Sequence, residues 1–177
     1  DWCNHYDHRL KTIKGWVKID KERNEIVGYN PDRQSSQLGP ELPNFKGYFI
    51  IRFNSDINEF GCWSDSTLYP QQTELHGTRM GAYIDFRKND REVKVQLATS
   101  FISLDQARIN LEKEVPDWDF QRLCEKTKQA WNDKLSRFTL KGVSEDEARI
   151  FYTALYHSYL FPREFSEYGK YYSAFDD

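Results

Sequence analysis

The sequence is poor in several features that would narrow its class at once. Its 25 Lys and Arg stand against 28 Asp and Glu, for a net charge of −3. No basic cluster is long enough to override that balance, which argues against a nucleic-acid partner held through phosphates. No run of about 18 apolar residues occurs, so no membrane-spanning helix is expected. Cys3, Cys62 and Cys124 follow no zinc spacing. One disulfide with a free thiol, a partner elsewhere, and buried thiols all remain compatible with three cysteines. His5, Asp7 and His8 are a small group of possible ligands whose spacing matches no strong metal motif. The opening DWCNHYDHRL is charged and polar, so no secretory leader is expected within it. Internal repeats, low-complexity segments and Asn-x-Ser/Thr acceptors are missing too.

What is present is a polar, aromatic-rich chain of domain size. Its 177 residues are 38% hydrophobic, 30% charged and 16% aromatic, with a mean hydropathy of −0.83. Flat rings with polar tips suit sugar binding, and they suit ordinary cores equally well.

The first hundred residues carry strand patterns. In residues 12–20, Ile13, Val17 and Ile19 oppose Lys14, Trp16 and Lys18, which predicts a half-buried strand. A weaker strand is expected over 26–29, followed by a long surface loop with three prolines over 30–46. GYFIIRFN, residues 47–54, is apolar on both faces and is expected inside a sandwich. Residues 55–81 read as another polar loop, containing Trp63 and His76. Strands over 81–87 and 92–101 follow, the second alternating Val93, Val95, Leu97, Thr99 and Phe101 against Lys94, Gln96, Ala98 and Ser100. The KNDR between them reads as a hairpin turn. These signals together predict an antiparallel β-sandwich.

At Ser103 the period changes. Ser103 to Gln106 matches a capping box, and the helix it opens is expected to end before Pro116. A second helix, capped by Asp117 or Asp119, carries the stripe Phe120, Leu123, Cys124, Thr127, Trp131, Leu135, which predicts one buried face. RFTLK, residues 137–141, reads as a short strand returning to the sheet. Ser144 to Glu147 is a second capping box. The helix it opens places Ala148, Phe151, Leu155, Ser158 and Tyr159 on one face, with Ile150, Tyr152, Tyr156 and Leu160 around the rest. Such a helix needs cover on several sides, from more chain or from a partner.

The motifs SLDQARIN (103–110), Asn110-Leu-Glu, Trp118-Asp-Phe, Ala130-Trp-Asn and FYTALYH (151–157) resemble glycoside hydrolase family 92, the calcium-dependent exo-α-mannosidases. The likeness is good over 81–177 and faint before. It implies a β-rich fold: a sandwich over 1–102, a helical linker over 103–143, and over 144–177 the first helix of a catalytic ring of paired helices. It further implies inverting, calcium-dependent cleavage of terminal α-mannose from glycans, with the remainder of the chain as the sandwich's partner. A secreted, periplasmic or lysosomal-type compartment is the expected setting.

In the family the catalytic carboxyls and most calcium ligands lie later, so no catalytic residue and no metal ligand is expected in this segment. The family's Tyr-x-Gly-Phe-Asp-Gly region maps Asp176 onto the sugar pocket, although Ala174 and Asp177 stand where glycines are usual. Trp63 and His76 are further substrate-binding candidates, as aromatics in a polar loop. Inverting hydrolysis uses two carboxyls roughly 6.5–9.5 Å apart. Glu164 and Glu167 are read instead as solvated loop charges, and His157 as a core histidine. A non-catalytic carbohydrate-binding or structural sandwich module in a larger assembly is the alternative reading. A phosphorylase-like hydrolase with the same architecture is a third.

Overall fold

Alternation of apolar and polar residues builds two antiparallel sheets in the computed structural model, which describes residues 14–31, 44–87, 92–161 and 164–173. The elements run β1 (Gly15–Asp20), β2 (Glu25–Asn30), β3 (Gly47–Phe53), β4 (Glu59–Ser64), β5 (Thr67–Pro70), β6 (Glu74–Gly77), β7 (Met80–Asp85), β8 (Val95–Ser100), α1 (Leu104–Glu114), α2 (Phe120–Leu135) and α3 (Glu145–Tyr159). One sheet has the order β6-β1-β2-β3-β8 and the other β5-β4-β7. The predicted antiparallel sandwich followed by helices is what the chain forms.

Between the sheets, Val17, Ile19, Ile26, Ile57 and Cys62 form a buried core, with Phe49, Ile51, Phe60, Leu75 and Ile84 packed around it. Burying side chains of this kind stabilises by about 1.5–3 kcal/mol each. A second core lies on the opposite face of the larger sheet, where Val27 and Ile50 meet Ala107 and Leu111 of α1.

Several expectations need correction. The polar loop over 55–81 contains β4, β5 and β6, which are short and rich in glycine and polar residues. The strands flanking KNDR do not form a hairpin: β7 pairs with β4, while β8 pairs with β3 in the other sheet. The turn residues 88–91 themselves lie outside the described set. In β8 the buried side is Gln96 and Ser100, whereas Val95 and Leu97 are exposed, Leu97 by 60%. The polar side is inward because α1 lies on it and uses it. The Gln96 amide donates to the carbonyls of Val115 and Asp117 (3.0 and 2.8 Å), and Asn110 donates to the Thr99 carbonyl (2.9 Å).

The deepest polar link joins three elements. Glu25 on β2 is fully buried and accepts from Arg52 Nε on β3 at 2.8 Å. Arg108 of α1 reaches its other oxygen at 3.4 Å. Ser103 caps α1 by accepting from the Gln106 backbone N–H, but the reciprocal half of the expected box is missing. Gln106 instead turns its side chain inward and donates to Asn110 Oδ1 at 3.0 Å.

The described residues form two units. One holds the residues up to Trp118 and those from Ser166 on; the other is Asp119–Phe165. In the second unit, Asp119 caps α2 and Ser144 caps α3 with a complete capping box. Neither helix has a buried residue. The stripe predicted to be buried on α2 is at most half-covered, at Leu123, Trp131 and Leu135, and Phe120 and Cys124 are exposed. The two helices meet through Trp131 against Tyr156 (ring centroids 4.5 Å). RFTLK forms no strand; Phe138 there accepts from the Tyr152 hydroxyl at 2.7 Å and sets its ring beside Phe151. The half-buried line of α3 is Ala148, Tyr152 and Leu155, and Ile150 is 70% exposed.

Two outcomes follow. Glu25→Gln leaves two arginines facing each other with no counter-charge. It is expected to cost about 3–5 kcal/mol in chemical denaturation; a cost under about 1 kcal/mol would mean the pair is solvated. At α3, hydrogen bonds from the backbone and side chain of Ser144 hold the Glu147 carboxyl below its ordinary value. A depressed folded value stabilises fully above the unfolded value of about 4.3 and is lost as pH falls through the folded one. Wild type should therefore be more stable than Glu147→Gln at neutral pH, and the difference should shrink as pH falls below the unfolded value of about 4.3.

Candidate functional site

Strand register aligns one row of rings across the helix-bearing side of the larger sheet. Trp16 pairs with Tyr29 on one side and with His76 on the other, and Tyr29 pairs with Tyr48. Successive centroids are 5.8–6.3 Å apart, from His76 through Trp16 and Tyr29 to Tyr48. Glu74 completes the exposed end: it accepts from Trp16 Nε1 at 2.6 Å and lies 3.6 Å from His76 Nε2. Lys46 stands 5.2 Å from the Tyr29 centroid. Apolar ring faces beside a carboxylate and N–H donors offer the two kinds of contact a sugar makes.

Trp63 lies elsewhere. It projects from β4, where its neighbour Cys62 points into the core, so its side chain is on the outer face of the smaller sheet. The indole covers Gly81 on β7, leaving no room for a Cβ there: the ring would be 2.7 Å away. Tyr83 covers Gly61 in the same way. His76 and Trp63 thus stand on opposite outer faces of the sandwich and do not share a site. Burial, followed by the charge of Glu74, raises the Cys62 thiol above its ordinary value.

A third cluster surrounds Glu167. Residues 167–170 form a tight turn in which Tyr168 (φ 52°) and Gly169 (φ 82°) are both left-handed. The backbone N–H of Glu167 donates to the Lys170 carbonyl at 2.6 Å. Glu167 is half-buried, not a solvated loop charge: one oxygen accepts from the Phe101 backbone N–H at 2.8 Å, the other from Asn110 Nδ2 at 2.7 Å. Tyr168 rests under Lys113 (4.0 Å to the centroid) and donates to Glu114 at 3.1 Å. Loss of water, then the hydrogen bond and charge of Glu114, push this phenol above its ordinary value. Tyr172 donates to the Asn44 carbonyl at 3.2 Å. Glu164 is exposed and His157 sits on an exposed stretch of α3, so the core role expected for His157 is not met.

Asp176, Cys3 and the His5–Asp7–His8 group lie outside the described residues. Among the described residues no group of three or more His, Cys, Asp or Glu could hold a metal, and no helix is long and apolar enough to cross a membrane. Sequence reasoning missed Trp16, Glu74 and Glu167. For Glu167 a signal existed in Glu-Tyr-Gly-Lys, a glycine-containing turn set between aromatic segments.

Known proteins match most of this chain in sequence and fold. The glycosyl hydrolase family 92 N-terminal domain matches residues 1–100, and the catalytic domain of that family matches residues 106–177. A family GH92 inverting mannosidase from Bacteroides thetaiotaomicron VPI-5482 is 33% identical, with a TM-score of 0.79 over 92% of this chain and 22% of its own. A family GH92 alpha-mannosidase from Bacteroides thetaiotaomicron is 25% identical, with a TM-score of 0.68 over 88% of this chain and 21% of its own. An uncharacterized secreted glycosidase of Arthroderma benhamiae is 35% identical over 95 residues, which is 50% of this chain and 12% of that protein. The chain therefore spans less than a quarter of the length of these relatives. The N-terminal domain match alone covers more than half of the chain, and on that ground the chain belongs to glycosyl hydrolase family 92.

Proposed function

We propose that this chain is the N-terminal part of a secreted glycosidase that removes terminal α-mannose from glycans, with inversion and with calcium. The observation that carries the reading is the match in fold and sequence to a GH92 inverting mannosidase over 92% of this chain. Inverting hydrolysis requires one carboxylic acid to protonate the leaving oxygen and one carboxylate to activate water. This reading assigns both to the remainder of the protein, because the relatives are more than four times longer. Calcium, when bound, supplies charge that helps distort the sugar. Its ligands are likewise assigned to the remainder, where the family resemblance implies that most of them lie.

The role proposed for this segment is to bind and to scaffold. Asp176 accepts hydrogen bonds from sugar hydroxyls, a strong interaction for an ionised carboxylate. His76, in its row of rings beside Glu74, is the aromatic contact better placed for a glycan. Trp63, engaged with Gly81, is a second and separate one. The exposed rings of α3, with Phe161 and Phe165, are surfaces for the remaining helices of the ring.

Full-length protein with added calcium should release mannose from aryl α-mannosides, and EDTA should abolish the release. Absence of release with calcium, together with no effect of EDTA, would contradict the enzyme reading. Glycan binding without turnover would favour a carbohydrate-binding module.

A further inference from the structure

We infer that Glu167 is a positioning residue: its carboxylate clasps the returning chain, residues 166–173, to the sandwich, just ahead in sequence of the sugar contact proposed at Asp176. The inference rests on the mannosidase reading, through the role proposed for Asp176.

Chemistry makes the clasp specific. Both partners of Glu167 are donors, the backbone N–H of Phe101 and the side-chain amide of Asn110. The Asn110 amide cannot turn over to offer its oxygen, because that oxygen accepts from Gln106 at 3.0 Å. Its second N–H is bound to the Thr99 carbonyl at 2.9 Å. Gln106 and Asn110 are both buried, so this orientation is enforced where a mismatch is costly. An ionised carboxylate meets two converging donors with one acceptor oxygen each and presents no donor of its own.

Position gives the clasp its consequence. Chain that leaves this unit after Trp118 rejoins it at Ser166, and Glu167 is the second residue after the return. The turn it begins is held from its other side by Tyr168 on Lys113 and Glu114. Tyr172 makes the next attachment, to Asn44. Asp176 is six residues beyond Lys170 in the sequence. The left-handed backbone of Tyr168, a residue with a Cβ, makes the turn costly to maintain without these contacts. Opening it would lower the fraction of protein ready to bind sugar, which raises the apparent dissociation constant by the inverse of that fraction.

The test uses the full-length protein. Glu167→Gln keeps the size of the side chain but sets an NH2 group against one of the two donors. KM for an aryl α-mannoside should rise about tenfold with kcat within about twofold, because a binding-competent population is lost and not the chemistry. Tryptic cleavage after Lys170 should accelerate by a similar factor, and Glu167→Asp, which keeps both acceptors, should recover most of both effects. Should Glu167→Gln fail to fold, Gly169→Ala strains the same turn and leaves the carboxylate in place, with the same two shifts expected. Wild-type values of KM and of cleavage in the folded variant would overturn the inference, as would a loss confined to kcat. If wild type itself releases no mannose, the mannosidase reading fails, and the rate of tryptic cleavage still decides whether Glu167 closes the turn.

Discussion

A carboxylate withdrawn from water, Glu25, must keep its two arginines, and the arrangement of the larger sheet follows from that requirement. Arg52 comes from the neighbouring strand and Arg108 from α1, so the ion pair can form only when helix and sheet are docked in one register. Leaving a buried charge uncompensated is far more costly than the pair is favourable. The constraint therefore works mainly against alternatives, excluding a slipped helix or a shifted strand. Hydrophobic burial by Ala107 and Leu111 supplies the attraction, and Glu25 selects the geometry.

With α1 so fixed, its polar residues become attachment points. Asn110 donates one N–H to the Thr99 carbonyl of β8 and is left with the other directed at Glu167. The chain that returns after α3 finds that N–H and the one on Phe101 already in place. A fold constraint at Glu25 is thereby transmitted, through one helix, to the turn that begins at Glu167. The aromatic row from His76 to Tyr48 depends on the same sheet, since strand register alone aligns those rings.

Much of this was legible from pattern. The alternation in β1 and β3, the capping serines of α1 and α3, and the family motifs each led to elements that exist. What misled the reading of β8 was the rule that apolar residues face inward. Its polar side faces in because α1 offers buried amides and carbonyls as partners, and periodicity cannot foresee partners from another element. β4, β5 and β6 escaped notice because they are short and carry few apolar residues, and Gly61 of β4 takes its apolar cover from the ring of Tyr83 on β7. The stripe on α2 was correctly periodic, yet its cover is not among the described residues. Glu167 looked like any loop acid. Only the geometry of two donors around it separates a clasp from a solvated charge.

The central claim is that α1 is part of the sandwich and serves as its connection to the returning chain. Amide hydrogen exchange on the full-length protein addresses this directly, because elements that open together exchange with one free energy. The account predicts that α1 amides share the opening energy of β3 and β8, with the Phe101 and Glu167 amides protected alongside them. Exchange of α1 at the rate of α2 and α3, independent of β3 and β8, would contradict it.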